Sequence, residues 1–95
     1  MDSEYIIIEE YCIKSQVDPD FIIQLVEEGL IRITMIDDES YIHISQLPHL
    51  EQYTRWHYDL SVNVEGIDII RTLLDRMEEM QGEMARLRQQ LRLMD

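Results

Sequence analysis

One cysteine in 95 residues excludes an internal disulfide and fits a reducing cytosol. Three glycines and two prolines leave no glycine-rich loop to cradle a phosphate and no proline- or glycine-rich linker between domains. No apolar run approaches transmembrane length, and no basic start leads into a long apolar core, so neither a membrane span nor a secretion signal is expected. No serine, cysteine or lysine stands in a recognisable nucleophile motif. These absences point to a cytoplasmic, non-catalytic chain that needs no cofactor.

Bases are scarce as well. Eight Lys and Arg face 20 Asp and Glu, a formal charge of −12. Residues 1–60 carry 13 acids against 3 bases (Lys14, Arg32, Arg55), a balance of −10; residues 61–95 carry 7 acids against 5 arginines, a balance of −2. The acidic surface thus belongs to the N-terminal part. Nucleic acid and anionic membranes are repelled by such a surface, and a basic protein surface is attracted. The hydrophobic fraction, 45%, is that of a folded chain. This length holds one small domain and at most one long helix.

"IEEYCIK", residues 8–14, predicts a short helix with Ile8, Tyr11 and Cys12 on its buried stripe. After the turn "SQV", Asp18 caps a second helix over 19–28. Pro19 sits in its first turn and Gly29 offers a stop. Ile22, Leu25 and Val26 form the inner face of that helix. Asp20, Gln24, Glu27 and Glu28 point outward, with Ile23 at the flank. "IRITMIDDESYIHI" reads as a β-hairpin turning at "DDES". Ser45 is placed to cap a third helix over roughly 46–58, and "LSV" ends it. Asn63 caps the last helix, with Val62 and Ile67 spaced as a hydrophobic staple. The expected units are 1–62, a winged helix-turn-helix-like domain, and 63–95, a pairing helix.

That last helix has the clearest pattern. Ile70, Leu73, Met77, Met80, Met84, Leu87, Leu91 and Met94 alternate spacings of three and four, the a and d positions of about three and a half heptads. The small domain covers at most the first turns of this seam, so homodimerisation is the economical way to bury the rest. Three central methionines make the seam pliable. Gly82 weakens the helix by about 1 kcal/mol relative to alanine. A parallel pair sets Glu83 against Arg88 of the partner copy; an antiparallel pair brings other charges together, and the direction stays open.

Other candidate sites have plainer readings. The methionine stripe continues in leucine and isoleucine, which makes it a seam rather than a soft-metal site. Cys12 lies on a buried face with no basic neighbour in sequence to activate it. His43, His49 and His57 show no compact ligand spacing. Tyr53, Trp56, His57 and Tyr58 pack the domain against the start of the long helix; a partner patch is the alternative, since Trp and Tyr favour interfaces.

Helix, turn, helix, wing, helix and long pairing helix is the order of the MerR-type winged-helix proteins. "YIIIEEYCIKSQVDPDFIIQLVEEGLI" resembles their opening pattern, and "EGLI" resembles their step from the second helix into the wing. "YDLSVNVEGIDIIRTLLDRMEEMQGEMARLRQQL" is similar to one branch, the CbpM-type chaperone modulators, as is the cysteine of the first helix. The resemblance implies a mostly α fold: a MerR-like winged helix-turn-helix with a small two-stranded β wing and a C-terminal coiled-coil helix. It also implies a partner, because members of this branch bind the J-domain of a DnaJ-type co-chaperone and block its work with Hsp70.

Departures from the DNA-binding members support that branch. Those regulators set arginines on the outward side of the second helix and bases in the wing, where they meet phosphates. Here the outward positions are Asp20, Gln24, Glu27 and Glu28, and the wing tip is Asp37, Asp38 and Glu39. Gln16 replaces the glycine that is usual in the turn. The expected partner-binding residues are therefore Asp20, Ile23, Gln24, Glu27 and Glu28, facing a basic protein surface. A DNA-binding MerR-like regulator is the alternative function and a structural coiled-coil adaptor the third; a face kept acidic for solubility is the plain reading of the charge.

Overall fold

The computed structural model describes residues 4–94. β1 (Tyr5–Ile7) runs without a loop into α1 (Ile8–Ser15). There follow α2 (Pro19–Glu27), β2 (Thr34–Ile36), β3 (Glu39–His43), a 3-10 turn (Ile44–Gln46), α3 (Leu47–Leu60) and α4 (Val64–Met94).

The turn between α1 and α2 is made by Gln16, which adopts the left-handed conformation (φ 55°, ψ 48°). Its conformation is the one for which glycine is favoured after a helix, so the glutamine keeps the expected geometry at a steric cost. The Val17 amide closes the turn on the Cys12 carbonyl at 2.9 Å. Asp18 then caps α2 as expected, its carboxylate accepting the Asp20 amide at 2.9 Å. At the far end Gly29 takes φ 75°, and the Leu30 amide bonds back to the Leu25 carbonyl at 2.9 Å. The helix itself stops at Glu27, one residue short of expectation.

Asp37 and Asp38 form a two-residue hairpin loop with φ 50° and 66°. Positive φ at both central positions is what a tight hairpin of this kind demands, and aspartate tolerates it better than most side chains. The hairpin gains a third strand that the sequence pattern did not reveal. β1 pairs antiparallel with β3, Ile6 opposite Ile42, in a sheet of order β1-β3-β2. A three-residue strand fused to a helix has too little alternation to register as a strand.

Ser45 is not the cap of α3. It lies inside the 3-10 turn, where its amide donates to Nδ1 of His43 at 3.1 Å, and α3 starts two residues later than Ser45 itself. Gln46 precedes the helix without capping it. Its side-chain amide instead clamps Arg32, accepting that residue's N–H and donating to its carbonyl, both at 2.8 Å. Ser61 ends α3 in a left-handed conformation (φ 59°). Asn63 caps α4 as expected, accepting the Gly66 amide at 2.8 Å.

The core gathers Ile8 and Cys12 of α1, Phe21, Ile22 and Leu25 of α2, Ile42 of β3, Leu50 and Tyr53 of α3, and Val64 and Ile67 of α4, with Val17 and Ile31 from the connections. Tyr11 and Val26, expected inside, are half-buried against it. Phe21 is also buried on α2, and it stacks on the His57 ring at 4.3 Å. α4 roots in this core through Val64 and Ile67. Arg71 then ties it to α3 by donating to Gln52 at 3.3 Å, and donates within α4 to Asp75 at 3.1 Å. From Asp75 to Met94 every residue is exposed.

Candidate functional site

α1 and α2 diverge from their turn and leave an open space that the β2–β3 hairpin closes on the third side. The result is a groove of about 700 Å³. Its floor is the outer surface of the core: Ile8, Cys12, Val17 and Ile22. Ile13 of α1 and Ile23 of α2 also line it, 72% and 53% exposed. Glu9, Glu27, Asp38 and Glu39 contribute carboxylates, and the lining contains neither lysine nor arginine.

The outward residues of α2 are all exposed, but they do not share one concavity. Ile23 and Glu27 line the groove. Asp20 and Gln24, one turn earlier on the helix, border a smaller hollow of about 270 Å³ with Asp18, Phe21, His57 and Tyr58. Glu28 lies just past α2 as its C-cap and lines neither hollow. Ile13 was missed in the sequence. Its signal is an isoleucine just outside the Ile8–Tyr11–Cys12 stripe, on a helix otherwise polar at its outer positions.

The aromatic group on α3 works chiefly inside the domain. Tyr53 is buried and Trp56 half-buried. The His57 ring donates from Nδ1 to the Val62 carbonyl at 2.8 Å, which fixes the chain as it leaves α3. The Tyr58 hydroxyl accepts the Asp18 amide at 2.9 Å, just ahead of α2. This cluster therefore braces α2 against α3 as well as supporting the start of α4.

Burial pushes the Cys12 thiol above its ordinary range, and the Asp18 carboxylate pushes the same way. A thiol so placed is a poor nucleophile at neutral pH. Burial likewise raises Tyr53, with Arg71 partly opposing it. Among the described residues no group of three or more His, Cys, Asp or Glu is placed to hold a metal ion, and no helix is long and apolar enough to cross a membrane.

The seam residues beyond the core stand open. Leu73, Met77, Met80, Met84, Leu87, Leu91 and Met94 lie between 50% and 79% exposed, whereas Ile70 is half-buried.

Comparison with known proteins agrees with this architecture. The family described as MerR HTH family regulatory protein matches residues 6–89. Three relatives are each called chaperone modulatory protein CbpM. Those of Pseudomonas entomophila (strain L48), Pseudomonas putida (strain GB-1) and Pseudomonas putida (strain W619) are 25%, 27% and 24% identical to this chain. Each alignment spans 81 residues, 84% of this chain and 80% of the relative. No solved structure matches. With its core, wing and most of α4 inside the matched span, the chain belongs to the MerR HTH family of regulatory proteins.

Proposed function

We propose that this protein is a non-catalytic chaperone modulator of the cytoplasm, acting as a homodimer joined through α4. It binds and masks the J-domain of a DnaJ/CbpA-type co-chaperone and so prevents that domain from working with Hsp70. The names of the relatives support the chaperone-modulating role. The observation that carries the finer reading is the charge of the position where winged-helix regulators read DNA: α2 offers Asp20, Glu27 and Glu28, and the hairpin tip offers Asp37, Asp38 and Glu39. Acid opposite phosphate is unfavourable at each such contact, and acid opposite a basic helix steers association. J-domains of the resembling branch's partners carry such a helix, the one that docks on Hsp70.

Calorimetric titration with an isolated J-domain should give saturable binding, and the same addition should suppress J-domain stimulation of Hsp70 ATPase activity. Absence of binding at micromolar concentrations overturns this reading.

Membership of the MerR HTH family favours one second reading, a DNA-binding regulator. Lys14, Arg32 and Arg55 would then have to meet the phosphates, three bases in a part of the chain that carries 13 acids.

A further inference from the structure

We infer that the groove between α1, α2 and the hairpin is a docking site for one amphipathic helix, whose aliphatic side chains enter between Ile13 and Ile23 and whose lysines or arginines meet the four carboxylates around them. The inference rests on the partner reading above and extends it from the face of α2 to a surface built by three elements.

Two features of the groove select this occupant. Its floor is apolar, and two large isoleucines on different helices stay open to solvent beside it. Exposed aliphatic side chains around a concavity mark a place where a partner inserts its own. Glu9, Glu27, Asp38 and Glu39 surround that floor with no base among the lining residues to neutralise them. An apolar segment flanked by acids is repelled there, and one flanked by bases is drawn in.

Backbone chemistry then decides the conformation of the segment. The two helical walls spend their interior amides and carbonyls within their own hydrogen-bond ladders. An extended segment laid between them would bury its own backbone groups with few partners, which is costly. A helix satisfies its backbone internally and presents aliphatic anchors at spacings of three and four. The groove therefore reads a cationic helix by its side chains alone.

Three variants and a designed probe test this. The probe is a short synthetic helix of leucines on one face and lysines on the other; its counterpart carries glutamate in place of lysine. By fluorescence anisotropy the wild-type protein should bind the lysine peptide saturably and ignore the glutamate one. Ile13→Glu, on an exposed position, should weaken binding about tenfold or more, as loss of an interface anchor does. Glu27→Gln with Asp38→Asn should weaken it several-fold and flatten its salt dependence; asparagine also tolerates the left-handed backbone at 38. Leu60→Glu, at the exposed end of α3, should change nothing. Melting curves of all variants confirm that they fold.

Equal binding of the two peptides, or full binding by folded Ile13→Glu, overturns the inference. So does loss of self-association in Ile13→Glu with peptide binding intact, since the occupant is then a second copy of this chain. The same variants titrated with a J-domain separate the two readings. A J-domain that binds wild type and Ile13→Glu alike overturns the groove and leaves the modulator standing. A J-domain that never binds, beside a lysine peptide that does so through Ile13, supports the groove and removes only the partner's identity.

Discussion

Gln16 shows how much a single position can carry. It holds the left-handed conformation between α1 and α2 with φ 55°, and it does so with a side chain that makes this conformation unfavourable. Glycine has no such penalty but loses more freedom on folding. Weighing the two, Gln16→Gly should stabilise the domain by about 0.5–1 kcal/mol. For a chain of this size that is a rise in Tm of about 2–8 °C. A calorimetric Tm equal to or below wild type would show that the glutamine is held by something other than the turn. The acids of α2 are a different case at the same scale. Periodicity alone assigned Asp20, Ile23, Gln24, Glu27 and Glu28 to the outside, because a helix of known phase leaves no choice. It could not place Ile23 and Glu27 in one hollow, Asp20 and Gln24 in another and Glu28 in neither, since that depends on what α1, the hairpin and α3 bring alongside.

At the scale of elements, α4 holds the clearest consequence. Beyond Asp75 its seam is exposed, with none of the other described residues covering it. Association of two copies along it is proposed above, and Met80→Asp with Met84→Asp tests it. Unpaired charges buried in such a seam cost several kcal/mol, so sedimentation should find the double variant monomeric with its domain still folded. A wild-type chain that is itself monomeric at high micromolar concentration removes the idea. The helices were legible in the sequence because their apolar residues recur at spacings of three and four, and Asp18 and Asn63 announced their caps chemically. β1 was not legible, since three residues cannot establish a period. Ser45 misled for a related reason. A hydroxyl residue before an apolar stretch suits both a cap and a 3-10 turn, and here the His43 ring takes the Ser45 amide. The groove was beyond reach in the sequence, because Ile13 acquires meaning only when Ile23 and the hairpin stand near it.

For the whole molecule, charge bears on which partners it can meet. With 13 acids against 3 bases over residues 1–60, anisotropy with random duplex DNA at physiological salt should show no binding. Submicromolar, salt-sensitive binding would favour the regulator reading instead. The junction of β1 and α1 bears on how any partner is met. Ile7 ends the strand and Ile8 begins the helix, while β1 itself is laced to β3 of the hairpin. Two sides of the groove are thus joined by a continuous backbone and a hydrogen-bonded ladder, with no loop between them to loosen the span. Those two sides are preorganised, so little of their conformational entropy is lost when a partner fills the cleft. Association then resembles a key entering a cut lock, with the ordering left to the incoming helix.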